Sequence, residues 1–137
     1  MNGSLSLLLK AGDRLFLNGA VIRADRKVRI EVLNDAIFLL GTHLLQPEDA
    51  NTPLRQLYFA VQTMLVEPDA ATNAKVMALR MTASLMQAFS NREVLSGLMD
   101  IEHDIQRGKP YPALKKLRAL YQFEQSILNN EQKGKAA

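Results

Sequence analysis

An α+β protein, with a small N-terminal antiparallel β meander followed by a four-helix C-terminal part, is the fold class that this 137-residue chain predicts. Two observations carry the expectation. Over residues 5–45, short apolar runs alternate with Gly, Asn and Asp turns, whereas from residue 52 the apolar residues recur at helical spacing. Strands kept apart from helices along the chain are the mark of α+β rather than α/β. A third observation is chemical. The net charge is only +3, yet Lys10–Arg29 holds six basic residues and two acidic ones. That stretch alone carries +4 and the remainder carries −1.

The β part reads element by element. Leu5–Lys10 is an apolar run closed by the turn Ala11-Gly12-Asp13. Arg14–Leu17 follows, and then Asn18-Gly19, the strongest short hairpin signal in a sequence. Ala20–Ala24 and Lys27–Leu33 alternate, the latter with Val28, Ile30 and Val32 on one face and Lys27, Arg29, Glu31 and Leu33 on the other. Asn34-Asp35 turns the chain into Ala36–Leu40, which ends at Gly41. No connection is long enough for a parallel crossover, so the strands are expected to be antiparallel.

Thr52-Pro53 then supplies an N-cap and a first-turn proline. Leu54, Leu57, Tyr58, Val61 and Leu65 form one stripe, and Glu67-Pro68 ends that helix. Val76, Leu79, Ala83, Met86 and Phe89 are the expected inward stripe of the second helix. Ser90-Asn91-Arg92-Glu93 reads as a capping box. The third helix carries Val94, Leu98, Ile101 and Ile105, and Gly108-Lys109-Pro110 closes it. Pro112 opens the fourth, with Leu114, Leu117, Tyr121 and Leu128 inward. Residues 1–137 are expected to form one domain, with a β part at 1–45, a helical part at 52–129 and a disordered tail at 130–137. Gln46–Asn51 is the one seam.

Enzymatic chemistry lacks its parts. With no Cys, disulfides, thiolate nucleophiles and zinc-finger ligation drop out. His43 and His103 stand far apart, and phosphate-cradling Gly loops and a Gly-x-Ser-x-Gly elbow are missing. No catalytic residue, metal ligand or cofactor is therefore expected. Asp100, Glu102, His103, Asp104 and Arg107 read as a solvated helix face rather than a general base. Leu5–Leu9 is too short for a signal peptide's apolar region and no run spans a bilayer, so a cytoplasmic protein with no membrane partner is expected.

The basic β segment is the better candidate. Arg14, Arg23, Arg26, Lys27 and Arg29 sit on short strands and their turns, where cations can neutralise phosphates and bond exposed bases of single-stranded RNA. The same residues could instead merely guard exposed strand edges. Met64, Met77, Met81, Met86 and Met99 on the helices offer a protein-docking surface, and Lys109, Lys115, Lys116 and Arg118 form a second basic cluster.

The run from Leu9 to Arg23 (Leu-Lys-Ala-Gly-Asp-Arg-Leu-Phe-Leu-Asn-Gly-Ala-Val-Ile-Arg) resembles the opening of the FlbT family, flagellum biosynthesis regulators of α-proteobacteria. Asp25-Arg26-Lys27-Val28, Phe38-Leu39-Leu40 and the long block from Leu45 to Phe59 follow in the same order. The resemblance implies a repressor or activator acting after transcription. It would associate with the 5′ untranslated leader of flagellin mRNA and promote its degradation or block its translation. It also implies work alongside the small protein FlaF and contact with flagellin itself. No RNA-contacting residues come with the family, so the five cations above rest on charge alone. The alternative is a protein adaptor for FlaF or flagellin that affects the message indirectly. The strand pattern around Val28-Arg29-Ile30-Glu31-Val32 is also similar to the Csr-type carbon-storage regulators, which implies a homodimer built on the sheet.

Overall fold

The computed structural model describes residues 5–136, with side chains described through Glu124. The chain divides into two compact units, Met1–Gln46 and Pro47–Ala137.

The first unit holds five strands: β1 (Leu5–Leu9), β2 (Arg14–Leu17), β3 (Ala20–Arg23), β4 (Val28–Val32) and β5 (Phe38–Leu40). All pairings are antiparallel, as expected, but their order is nested rather than sequential. β1 pairs with β4, while β2 lies between β3 and β5 in a separate sheet. The β2–β3 hairpin causes the nesting. Asn18 (φ 45°) and Gly19 (φ 97°) both adopt the left-handed conformation that a two-residue type I′ turn requires. This tight hairpin leaves β4 to return to β1. The two connections run side by side, with the Gly12 amide donating to Ala24 O (2.7 Å) and the Ala24 amide to Asp13 O (3.0 Å).

The unit's core lies between the two layers. Leu9, Leu15 and Ala24 are buried there, with Leu7, Ile30, Leu17, Phe38 and Leu40 packed around them. The inward faces follow from strand parity: Leu7 and Leu9 face the interior with Ile30, and Leu15 and Leu17 with Leu40 and Phe38. On the other face of the three-stranded sheet, Phe16 and its cross-strand partner Leu39 are also buried.

The second unit comprises α1 (Pro53–Val66), α2 (Ala71–Ala88), α3 (Arg92–Gln106) and α4 (Pro110–Ala136). α1 packs on α2 and α4, and α3 on the same two helices, which closes a four-helix ring. Thr52 caps α1 by accepting from the Arg55 amide at 3.2 Å. The stripes expected on α1 and α3 are buried at Leu54, Leu57, Tyr58 and Val61, and at Val94, Leu98, Ile101 and Ile105. Gly108 (φ 70°) terminates α3.

Four local expectations differ. On α2 the buried side is Ala74, Ala78, Thr82 and Leu85, while Val76 is 46% exposed. Small residues let neighbouring helices approach, and the Thr82 hydroxyl is satisfied by donating to Ala78 O at 2.7 Å. The α3 cap is Asn91, whose Oδ1 accepts from the Glu93 and Val94 amides, so Ser90 is not the capping residue. α4 opens at Pro110 rather than Pro112. Both prolines fit, because the first turn's amides have no intrahelical acceptor. α4 also continues past residue 129. The side chains of Leu128 and of the expected tail at 130–137 lie outside the described residues. Among the described residues, no helix is long and apolar enough to cross a membrane.

Candidate nucleic-acid interface

All five candidate cations are exposed, and the β unit sorts them by strand. The two-residue Asn18-Gly19 turn fixes the register Leu17 to Ala20, which places Arg14 directly opposite Arg23 at the open end of the hairpin. Arg14 Nη1 donates to Gln46 Oε1 at 3.3 Å, and neither arginine meets a carboxylate among the described residues. Like charges directly opposed across strands destabilise a sheet, so this pair favours an anion.

Arg26 and Lys27 follow in the β3–β4 connection, which is hydrogen-bonded to the β1–β2 connection beside the Arg14–Arg23 end. Arg26 forks onto its neighbour Asp25, with Nε to Oδ1 and Nη2 to Oδ2 both 3.2 Å. Both side chains are about four-fifths exposed (80% and 78%), and such a pair exchanges readily for another anion. Asp13, the other acid of the segment, accepts from the Lys10 amide at 2.8 Å and so serves the turn.

Arg29 stands apart. It lies on the outer face of the β1–β4 ribbon, opposite Leu8, and donates to Ser6 Oγ at 3.4 Å. The parity that turns Ile30 into the core turns Arg29 away from it. Arg14 and Arg23 belong to the face of the other sheet that carries Phe16 and Leu39. The unit thus gathers Arg14, Arg23, Arg26 and Lys27 at one end and leaves Arg29 on a different face. Lys10, exposed in the adjoining turn, joins the first group. The signal that includes it is its place one residue before the Ala11-Gly12-Asp13 turn. Phe16 is buried and Phe38 packs against the core, so neither gives the cationic end a stacking platform.

In the helical unit, the acidic stretch on α3 is not uniformly solvated. Asp104 is buried and its Oδ2 accepts from Lys116 Nζ at 2.6 Å. His103 lies on the exposed side, with Nε2 3.2 Å from Arg107 Nη1. Among the described residues no group of three His, Asp or Glu side chains could hold a metal ion. Three members of the second basic cluster are drawn into internal contacts, while Lys109 is exposed: Lys116 holds Asp104, Arg118 donates to the Tyr58 hydroxyl at 2.9 Å, and Lys115 lies 4.7 Å from the Tyr111 ring centroid.

Arg55 stacks over Tyr121, whose ring is 5.9 Å from that of Tyr58. Burial raises both phenols above their ordinary value, with Arg118 partly opposing the rise at Tyr58. Glu124, also buried, accepts from the Leu54 amide through Oε2 at 3.0 Å and so satisfies one of the free amides at the α1 N-terminus. Between α1 and α2 lies an open cavity of about 370 Å³ lined by Gln56, Arg80, Met81, Ser84 and Leu85.

The described residues gather exposed cations at one end of a five-strand unit, carried in one chain with a helical ring. The family model for the flagellar protein FlbT matches residues 5–128, and the chain belongs to the FlbT family. Curated relatives agree over nearly the whole length. A probable flagellum biosynthesis repressor protein FlbT of Allorhizobium ampelinum is 46% identical over 132 residues, covering 96% of this chain and 89% of the relative. Its namesake in Chelativorans sp. is 48% identical over 129 residues, covering 94% and 89%. That of Agrobacterium fabrum is 43% identical over 132 residues, covering 96% and 89%. No solved structure matches.

Proposed function

We propose that this protein regulates flagellum biosynthesis after transcription by associating with the 5′ untranslated leader of flagellin mRNA, promoting its degradation or blocking its translation. Membership of a family whose curated relatives are named flagellum biosynthesis repressors supports the pathway. The observation that carries RNA contact is the Arg14–Arg23 pair, opposed across two strands without a carboxylate between them and flanked by exposed Arg26 and Lys27. Arg14, Arg23, Arg26 and Lys27 neutralise successive phosphates or bond base edges of a single-stranded leader. The action is stoichiometric and cytoplasmic, without catalysis or cofactor. Bound protein changes ribosome access or leader structure and so exposes the message to nucleases.

Gel-shift titration of an Arg26→Ala/Lys27→Ala variant tests the assignment. Affinity for the leader should fall while stability stays within about 0.5 kcal/mol, as exposed substitutions usually allow. Unchanged affinity would remove these residues from the interface.

An adaptor role toward FlaF or flagellin is favoured by a different observation, the exposed Val76, Met77 and Met99 on α2 and α3. Leu57 and Tyr58 are buried in the helical unit and take no part in such a surface. Polar substitution of Met77 and Met99 tests the adaptor without touching the cationic end.

A further inference from the structure

We propose that the chain pairs with a second copy of itself through the open edge of β4, antiparallel and centred on Ile30, so that two β1–β4 ribbons become one four-stranded sheet. β4 bonds to β1 on one side, and among the described residues no strand occupies its other side. A two-stranded ribbon is marginal in water on its own, and an open edge is a template for another strand. The ribbon is also poorly covered: Leu8 is 52% exposed, Val28 38%, and Leu33, just past β4, 75%.

What identifies the occupant is the order of residues along β4: Val28, Arg29, Ile30, Glu31, Val32. A twofold axis at Ile30 sets Ile30 opposite itself, Arg29 opposite Glu31 of the second copy, and Val28 opposite Val32 of the second copy. Every pair then matches, apolar with apolar and cation with anion, and each contact occurs twice, as an isologous interface requires. Opposed residues of an antiparallel pair share a face. The two ion pairs therefore fall on the outer face, where Arg29 and Glu31 already lie, and the aliphatic pairs continue the inner face.

The neighbouring registers each set like charges against one another at the axis. Moving the axis to Arg29 opposes two arginines, and moving it to Glu31 opposes two glutamates, both unfavourable. Slipping by a single residue turns the apolar set to the wrong face. The other open edges lack this complementarity. β1 (Leu-Ser-Leu-Leu-Leu) carries no charge, and β3 offers Arg23 with no acidic residue on the strand. The charges on β4 thus admit one partner strand, its own copy, while blocking unspecific edge pairing.

The pairing assigns Arg29, the cation that stands apart from the basic end, to protein rather than RNA. It does not depend on RNA binding, and its test contains none. Sedimentation equilibrium of the purified full chain at low salt should show reversible dimerisation. Arg29→Glu and Glu31→Arg should each weaken the homodimer by about tenfold or more, since positions 29 and 31 then carry the same charge and oppose one another across the axis. An equimolar mixture of the two variants should dimerise again. One chain then carries acids at both positions and the other carries bases at both, so each crossed pair is again a cation facing an anion. Recovery on mixing also shows that both variants are folded. A wild-type chain that stays monomeric, single variants that dimerise as tightly as wild type, or a mixture that remains monomeric would each overturn the proposal.

Discussion

Arg14 and Arg23 stand directly opposite one another across β2 and β3, and Gln46 accepts a hydrogen bond from Arg14 beside them. The sheet therefore holds a like-charge pair with no carboxylate against it among the described residues, which costs stability until an anion arrives. Replacing Arg23 with Gln should leave the unfolding free energy unchanged or slightly raised, by up to about 0.5 kcal/mol, while weakening RNA binding. A stability loss well beyond that figure in urea unfolding would mean that the pair is structural.

Gly41, at the end of β5, sits where a Cβ would stand 2.9 Å from the Arg14 carbonyl oxygen. Gly41→Ala must push β2 at the residue that carries the basic end. The expected cost is about 1–3 kcal/mol, the usual penalty for forcing atoms into filled space. Thermal unfolding of the variant measures it.

The Lys116–Asp104 pair joins α4 to α3, with the carboxylate side chain 12% exposed and the ammonium side chain 42%. Lys116→Met strands a nearly buried carboxylate. Because the lysine is partly solvated, the cost should sit near the low end for such losses, about 1–2 kcal/mol. Lys109→Met, on an exposed side chain, should stay within about 0.5 kcal/mol in the same urea titration.

Alkaline pH should destabilise the helical unit. Burial raises Tyr58 and Tyr121 above the ordinary phenol value of 10.0, so both stay neutral in the fold after the unfolded chain has begun to ionise. The unfolded state then binds fewer protons, and stability, fully present below pH 10, falls as pH rises beyond it. Comparing urea midpoints at about pH 8 and about pH 11 should show a smaller loss for Tyr121→Phe than for wild type.

The turns are legible in the sequence because backbone conformation dictates them. Asn18-Gly19 identifies the hairpin, and with it the register that opposes Arg14 to Arg23. The pairing of β1 with β4 is not legible, since strands far apart in sequence are matched by burial rather than by local pattern. α3 can be read from four large aliphatics at helical spacing. α2 cannot, because its core face is built on Ala74, Ala78 and Thr82, which fit by their small size. Asp104 reads as surface until Lys116, twelve residues on, is seen to hold it. The division of the cations into a basic end and a separate Arg29 needs the strand faces, which composition does not reveal.

The most direct test of the central claim is binding of the purified protein to a flagellin-message leader across a salt series, with a scrambled RNA of equal length as competitor. Four phosphate contacts give an expected log–log slope of about −3, from roughly −0.7 per neutralised phosphate on a single strand. The leader should win by tenfold or more, and Arg14, Arg23, Arg26 and Lys27 variants should each flatten the slope. Equal, weak binding of leader and scramble would contradict direct recognition and leave the message to a protein partner.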